Sequence, residues 1–252
     1  MLAALTSLVP ASVRRRLREL LRLGMRSSLG LRPENFQRQS YSQFGEDIAL
    51  EYIFREKSRG VYVDVGCYHP IRISNTYLLH RRGWRGINVD ATLDDDLFGR
   101  ARPHDENVRA AVSDTPEELT LYRFGDMSGL NTLDPIVAEE WRKRFKRPYV
   151  EERVRTRSLQ DIFETSRFAS GDIDLLSIDV EGHELSVLRS LSFERNAPRV
   201  IAVELHESRL ENVQRSELYR FLLSNGYELS YWTFPTLIFR HGEFLDSRTT
   251  DG

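Results

Sequence analysis

Residues 61–70 have the sequence Val-Tyr-Val-Asp-Val-Gly-Cys-Tyr-His-Pro. The first five form an apolar run that predicts a buried strand, and Gly66 directly after them predicts a tight turn. A strand followed at once by a glycine is typical of the turn that binds a phosphate or a nucleoside in an open α/β sheet. However, Tyr68, His69 and Pro70 stand where further glycines of a dinucleotide site would follow. The segment is therefore an altered dinucleotide loop, the loop of a different cofactor, or a simple strand end.

Strand-like and helix-like segments alternate on both sides of this segment. Apolar runs predict strands at residues 86–90, 108–112, 173–179 and 199–205, with extra strands at 119–124 and 154–156. Helical spacing predicts helices at residues 46–54, 76–82, 136–145, 158–163, 184–191 and 216–224. Residues 227–232 and 236–240 predict two strands whose connection is too short for a helical crossover, so they must be antiparallel. We predict an α/β fold with a mostly parallel seven-stranded sheet, a terminal antiparallel hairpin, and helices on both faces.

Charge is divided unevenly along the chain. The first 40 residues contain eight arginines against Glu19 and Glu34, which gives them a net charge of +6. Because the whole chain of 252 residues carries −2, the other 212 residues carry −8. We therefore predict a basic amphipathic arm and linker at residues 1–40 and a single domain at residues 41–252. The one cysteine, Cys67, excludes an intramolecular disulfide and a multi-cysteine metal cluster.

Residues 13–23 of this arm place apolar side chains on one helical face and arginines on the other. Such a helix lies on an anionic membrane surface through residues 1–30, or it packs against its own domain; both alternatives stay open. No run approaches the roughly 20 apolar residues of a membrane-spanning helix, and the arginines follow the apolar start instead of preceding it as in a secretory signal. The expected location is the cytoplasm, including the inner membrane surface. The basic segments lack interleaved aromatic residues, so we expect no nucleic-acid partner.

Four predicted strands carry an acidic residue near their carboxyl ends: Asp64, Asp90, Asp179 and Glu204. In an open α/β sheet, ligands bind beyond these ends. Asp90 occupies the place of the acid that binds a ribose diol, since a carboxylate accepts hydrogen bonds from both hydroxyls. It follows Gly66 by 24 residues, close to the spacing of about 20 in dinucleotide sites. A nicotinamide dinucleotide and S-adenosylmethionine both remain open on this criterion.

The turn after the first strand separates these two cofactors. A pyrophosphate needs several backbone N–H groups and glycines that let it approach closely. Tyr68, His69 and Pro70 crowd that approach, and proline has no N–H to donate. A methionine moiety needs only one glycine and an acid such as Asp64 for its ammonium group. The turn therefore favours S-adenosylmethionine.

Several ordered motifs resemble the FkbM-type methyltransferases. They are residues 42–47 (SQFGED), 63–70 (VDVGCYHP), 74–77 (SNTY), 82–90 (RGWRGINVD), 102–103 (RP), 110–113 (AAVS) and 176–184 (LSIDVEGHE). The resemblance covers residues 41–204 and implies a Rossmann-like class I methyltransferase fold. It also implies S-adenosylmethionine as the methyl donor, and O-methylation of a sugar hydroxyl in a surface glycan or a secondary-metabolite glycoside.

The same resemblance assigns roles to individual residues. It implies that Asp64 and Gly66 contact the methionine end of the cofactor and that Asp90 binds its ribose. Residues 111–113, including Ala111 and Ser113, would lie near the adenine, and Asp179 would lie beside the sulfonium. Gln43 and Asp47 would close the cofactor pocket.

Residues 179–184 (DVEGHE) supply the candidates for catalysis. We expect His183 to be the base that takes the proton of the acceptor hydroxyl, because the ordinary pKa of histidine, about 6.5, suits that task at neutral pH. Glu181 is the second candidate, as a base or as an anchor for acceptor hydroxyls, and Asp179 lies with them. Asp179, Glu181, Glu204 and His206 also form a candidate site for a divalent ion, and its oxygen-rich ligands suit Mg²⁺ or Mn²⁺ better than Zn²⁺.

Two other functions compete with this interpretation. One is a nicotinamide-dependent oxidoreductase that uses Asp90 on its ribose. The other is a protein of the same fold that has lost catalysis and docks on a membrane through residues 1–30. Binding of S-adenosylhomocysteine but not of NAD would separate methyl transfer from both.

Overall fold

The computed structural model describes residues 38–115, 117–126, 128–242 and 244. The strands in this part are β1 (Val61–Val65), β2 (Arg85–Asp90), β3 (Glu106–Arg109), β4 (Ala111–Val112), β5 (Glu118–Arg123), β6 (Val150–Arg157), β7 (Leu175–Ile178), β8 (Val200–Glu204), β9 (Tyr227–Thr233) and β10 (Thr236–His241). The helices are α1 (Glu46–Ile53), α2 (Tyr77–Arg81), α3 (Asp95–Ala101), α4 (Pro135–Phe145), α5 (Leu159–Glu164), α6 (Glu184–Arg189), α7 (Phe193–Asn196), α8 (Leu210–Arg215) and α9 (Glu217–Ser224).

Seven strands form the main sheet in the order β3-β2-β1-β7-β8-β10-β9. The pairs from β3 to β8 are parallel, whereas β10 is antiparallel to both β8 and β9. This arrangement confirms the predicted Rossmann-like sheet with its terminal antiparallel hairpin. The parallel pairs bring the carboxyl ends of β1, β2 and β7 to one edge, where an open α/β sheet binds its ligand.

Side chains alternate between the two faces of the sheet, because successive residues of a strand point in opposite directions. In β1, Val63 and Val65 face the larger core, which α5, α6 and α9 cover. Tyr62 faces the other side and packs with α1 and the residues around Trp84. Helices on both faces therefore bury the parallel strands, as the near-continuous apolar runs predicted.

The predicted strand at residues 108–112 is wrong as a single element. Residues 106–109 pair with β2, but Ala111 and Val112 pair with Thr156 and Arg157 of β6 in a second sheet of order β4-β6-β5. The chain changes sheets at Ala110, whose N–H donates to the carbonyl of Asp90 at 3.1 Å. The extra strands predicted at 119–124 and 154–156 belong to this small sheet, where they pair with each other.

The sequence analysis missed three helices: α3, α7 and α8. Helix α3 closes the connection between the parallel strands β2 and β3, and Asp94 caps its start by accepting a hydrogen bond from the N–H of Leu97. Only Phe98 of α3 is buried, so the segment has no apolar stripe that would reveal a helix.

The predicted arm at residues 1–40 lies outside the described residues, except for its last three. The amphipathic helix at 13–23 and its two possible docking surfaces therefore remain predictions. Within the described ranges, no helix is both long enough and apolar enough to cross a membrane.

Candidate functional site

A cavity of about 370 Å³ opens at the carboxyl ends of β1, β2 and β7. Its volume lies in the range of small-molecule sites. The turn after β1 contributes Gly66 and Tyr68, the end of β2 contributes Asp90, and the turn after β7 contributes Asp179 and Glu181. Residues 110–112 and 128–133 form further parts of the wall. The cavity therefore occupies the position that the sheet topology predicts for a ligand.

Asp90 is held in place by three hydrogen bonds from the protein. Its Oδ2 accepts from the N–H of Tyr68 at 3.1 Å, and its Oδ1 accepts from the N–H and the hydroxyl of Thr92 at 2.7 and 2.9 Å. A carboxylate has about four acceptor positions, so one remains for a ligand in addition to these bonds. The carboxylate is thus fixed at the cavity wall and can accept from a hydroxyl of a bound ribose.

Small apolar side chains form the wall beside Asp90. Val89 and Ala91 flank it in sequence, and Ala110 and Ala111 face the cavity where the chain changes sheets. A flat, largely apolar surface next to a carboxylate suits a nucleoside, whose base packs on the apolar wall while its ribose reaches the acid. Ala111, which was predicted to lie near the adenine, is among the lining residues. Ser113 is not among the lining residues; it is buried, and its hydroxyl lies 3.3 Å from His183 Nε2.

The unusual turn after Gly66 is stabilised from within. Tyr68 has a φ of +46°, a left-handed conformation, and it lines the cavity. His69 does not line it: its Nδ1 accepts from the N–H groups of Ile71 and Arg72, both at 3.0 Å, and burial lowers the pKa of the ring. His69 therefore holds the turn closed.

Asp64, which was predicted to contact the methionine end of the cofactor, is not among the residues that line the cavity. It shares a face of β1 with Tyr62, and its Oδ2 accepts from the hydroxyl of Thr76 at 2.6 Å. Burial raises the pKa of Asp64, while the buried guanidinium of Arg102 opposes that shift. Because side chains alternate along a strand, Asp64 and Tyr62, two residues apart, must share a face of β1.

Arg102 is the centre of the network that includes Asp64. It is 1% exposed and donates to the hydroxyl of Thr76 at 2.8 Å and to the carbonyl of Pro70 at 2.8 Å. Its other hydrogen bonds go to Ser74, Asn88 and Tyr62. A buried cation needs such a set of acceptors, so the network joins β1, β2 and the turn after β1 beneath the cavity.

Gln43 lines the cavity, but Asp47 does not. Asp47 is fully buried; its Oδ2 accepts from the N–H of Tyr41 at 2.6 Å, and its Oδ1 accepts from the hydroxyls of Ser40 and Ser42 at 2.7 and 2.8 Å. These bonds hold residues 40–47 in a turn, and Gln43 lies within that turn.

An acidic cluster adjoins the cavity at Asp179, Glu181, Glu204 and His206. His206 Nε2 lies 3.2 Å from Glu204 Oε2 and 3.6 Å from Glu181 Oε2. These two carboxylates raise the pKa of His206 to about 10. Burial raises the pKa of Asp179 well above its usual value, and the negative charge of Glu204 raises it further. The sequence did not predict that the ring of Trp141 on α4 would face His206, at 6.0 Å between ring centres.

A tight turn at Glu181 and Gly182 places the Glu181 side chain in this cluster. Glu181 has a φ of +54° and Gly182 a φ of +103°, so both adopt the left-handed conformation. Thr132 fixes the turn by donating its hydroxyl to the carbonyl of Glu181 at 2.7 Å. Glu184 binds the N–H groups of Val180 and Gly182 at 3.2 and 3.0 Å, and burial raises its pKa to about 7.

His183, the predicted base, is not among the residues that line the cavity. Its ring lies beside Ser113 behind residues 110–112, and burial lowers its pKa. The structure therefore brings Gln43, Gly66, Asp90, Ala111, Asp179 and Glu181 together at the cavity, with Glu204 and His206 beside them. It leaves Asp47, Asp64, Ser113 and His183 outside the wall.

Comparison with known proteins agrees with this geometry. The model of a family described as "Methyltransferase FkbM domain" matches residues 64–229, which is more than half of the chain. The match runs from the last two residues of β1 to the first three residues of β9, and it includes every cavity residue discussed above except Gln43. No curated protein matches the chain.

Proposed function

The chain belongs to the FkbM methyltransferase family and is a methyltransferase; on that premise we propose that it transfers the methyl group of S-adenosylmethionine to a hydroxyl of a sugar. The observation that carries the choice of donor is Asp90 at the end of β2, fixed by three hydrogen bonds beside a wall of small apolar side chains. A nucleoside fits this combination, and S-adenosylmethionine is a nucleoside with a methionine tail.

Three residues of the cavity suit three parts of the donor. Asp90 would accept from the ribose hydroxyls, and Ala111 would pack against the adenine. Asp179 would lie beside the sulfonium, which its carboxylate attracts. Asp64 has no place in this site, because Arg102 and Thr76 already engage it. When bound, S-adenosylmethionine supplies the methyl group; the protein supplies position and a proton acceptor.

Asp179 is our proposed proton acceptor for the hydroxyl: its raised pKa makes the carboxylate a stronger base, and the positive charge of the bound sulfonium would favour its ionised form. It lines the cavity, whereas His183 does not. His206 is also not among the residues that line the cavity. Glu181 lines the same part of the cavity and would anchor the acceptor. We therefore propose Asp179 in place of His183 as the base, with Glu181 beside it as the anchor of the acceptor.

A sugar is the proposed acceptor because the rest of the wall carries uncharged hydrogen-bonding groups. The side chains of Asn131 and Thr132 line it but already bond other protein groups, which leaves the amide of Gln43 and the hydroxyl of Ser128. Such groups both donate and accept, as a polyhydroxylated ligand requires. A glycan or a glycoside of a secondary metabolite presents this chemistry.

Isothermal titration calorimetry with the full chain tests the choice of cofactor. We expect micromolar binding of S-adenosylhomocysteine and no binding of NAD or NADH. Binding of NAD instead would support the oxidoreductase alternative, and binding of neither would support a non-catalytic scaffold.

A transfer assay tests the acceptor. Incubation with S-adenosylmethionine labelled in its methyl group should place label on glycosides with free hydroxyls. Label that appears only on amines or on non-sugar hydroxyls would contradict the sugar proposal.

We also propose that the enzyme works in the cytoplasm without a nucleic-acid partner, and that residues 1–30 contact anionic membrane. Sedimentation of the full chain with vesicles of anionic phospholipid tests the contact. Replacement of Arg14, Arg15 and Arg16 by glutamate should release the chain from the vesicles, because polybasic binding depends on those charges. Absence of the wild-type chain from the vesicle pellet would favour docking of the arm on its own domain.

A further inference from the structure

Three ligand-type atoms from two neighbouring strand ends converge beside the cavity. They are Glu181 Oε2 in the turn after β7, Glu204 Oε2 at the end of β8, and His206 Nε2 two residues later, and they lie within 4.8 Å of one another. Because β7 and β8 are adjacent parallel strands, the sheet itself sets this spacing. The three side chains thus lie at or just after the ends of two paired strands.

The two carboxylate oxygens lack hydrogen-bond donors. Glu204 is 5% exposed, and its Oε2 is buried with no hydrogen-bond partner; Glu181 Oε2 is in the same condition. His206 Nε2 is near both oxygens, but neither contact has the geometry of a hydrogen bond. Buried carboxylate oxygens without donors are costly unless another group satisfies them. Both atoms point at the same small region, which indicates a ligand that binds there.

We propose that Glu181, Glu204 and His206 bind one divalent cation of the Mn²⁺ class. Two carboxylate oxygens and one imidazole nitrogen suit an octahedral ion that accepts both oxygen and nitrogen ligands. Three protein ligands leave coordination positions free. Since Glu181 lines the cavity, such positions are within reach of a ligand bound there.

The cation also gives the cluster a role in the reaction. A bound divalent ion holds a hydroxyl oxygen in position and lowers its pKa, which makes proton removal by the neighbouring Asp179 easier. This role rests on the proposed methyl transfer, but the binding of the ion does not. The ion would therefore help Glu181 in its proposed role, which is to anchor the acceptor.

Electron paramagnetic resonance of Mn²⁺ tests the site directly. The full chain, freed of metals with a chelating resin, is titrated with Mn²⁺ without any methyl donor. We expect one equivalent to bind, and electron spin echo modulation should show coupling to one imidazole nitrogen. Absence of specific Mn²⁺ binding would overturn the proposal and leave an ion triad in which a protonated His206 lies between the two carboxylates.

Three variants separate the site from nonspecific binding. Glu204→Gln and His206→Ala should each weaken Mn²⁺ binding by about 100-fold, and the second should also abolish the nitrogen coupling. Glu207→Gln, which removes a carboxylate outside the cluster, should bind as the wild type does. His206 is half exposed, so its variant tests the site even if Glu204→Gln does not fold. Mn²⁺ binding by His206→Ala equal to that of the wild type would overturn the proposal.

The same samples distinguish this inference from the proposed function. Calorimetry with S-adenosylhomocysteine is carried out on the metal-free wild type. Cofactor binding without Mn²⁺ binding would refute only the metal site. Mn²⁺ binding without cofactor binding would refute the proposed donor and leave the metal site standing.

Discussion

Gly66 and Asp179 approach each other so closely that a β-carbon on Gly66 would lie 1.6 Å from the carbonyl oxygen of Asp179. Gly66 also has a φ of +79°, which only glycine adopts without strain. The glycine first interpreted as room for a cofactor is therefore required by the protein itself. It lets the ends of β1 and β7 meet beneath the ligand.

Replacing Gly66 by alanine should destabilise the whole domain. The contact is with backbone, which cannot move aside as a side chain can, so we expect a loss on the order of 3 kcal/mol or more in the free energy of unfolding. Urea denaturation measures it. The matched control is Gly99→Ala on the exposed side of α3, where nothing lies within 4 Å, and that change should stabilise by up to about 1 kcal/mol. Equal stability of the two variants would contradict the close approach.

Replacing Asp90 by alanine should weaken binding of S-adenosylhomocysteine by about 100-fold or more. The change removes the acceptor of the ribose hydroxyls and leaves the N–H of Tyr68 without its partner. Calorimetry measures the effect. Asp94→Ala removes a carboxylate only four residues away that caps α3 and lies outside the main cavity, and it should keep the wild-type affinity. Loss of binding in both variants would mean that the region had merely unfolded.

Replacing Asp179 by asparagine should lower kcat by about 100-fold or more, because the hydroxyl loses its proton acceptor. The affinity for S-adenosylmethionine should also fall, since its sulfonium loses a negative neighbour. S-adenosylhomocysteine has no such charge, so its affinity should change little. His183→Ala should retain activity within about threefold. The opposite pattern, in which His183→Ala is inactive and Asp179→Asn active, would restore His183 as the base.

Glu184 should make stability depend on pH. Burial raises its pKa in the folded state to about 7 from an ordinary value of 4.5. The folded state therefore keeps a proton that the unfolded state has lost, and stability falls as pH rises from about 4.5 through 7. The full difference corresponds to roughly 3 kcal/mol.

Glu184→Gln removes this dependence while keeping an oxygen for the N–H groups of Val180 and Gly182. Urea denaturation at pH 4.5 and pH 8 should show the variant gaining stability relative to the wild type as the pH rises. Glu194→Gln serves as the control, because its exposed carboxyl stays in water in both states. A gain of the same size for Glu194→Gln would show that Glu184 is not the source.

The parts of the fold that the sequence predicted correctly are those with a local pattern. Continuous apolar runs identify the strands β1 and β8. Helical spacing identifies α4. The break at Ala110 has no such pattern, because residues 108–112 are apolar except for Arg109 and only pairing with β6 divides them. Helix α3 was missed since its single buried side chain, Phe98, leaves no stripe.

The residues of the candidate site also include some that the sequence predicts and some that it does not. Asp90 and Asp179 follow buried strands, so topology alone places them at the cavity. The meeting of Trp141 with His206 joins residues far apart in sequence, and no local signal could have predicted it. Asp64 is on the face of Tyr62, but both faces of β1 are buried, so alternation along the strand did not show whether Asp64 would line the cavity. His183 was predicted to be the base because of the ordinary pKa of histidine. That pKa does not indicate whether the ring lines the cavity.

The insertion of β10 between β8 and β9 imposes an order on folding during synthesis. Every parallel strand of the main sheet precedes β10 in the chain, yet β8 keeps an open edge until residues 236–241 have left the ribosome. An open edge of buried, apolar residues is a template for pairing with other chains. A chain that stops short of β10 would therefore carry nearly all of the ligand cavity and still be prone to aggregate.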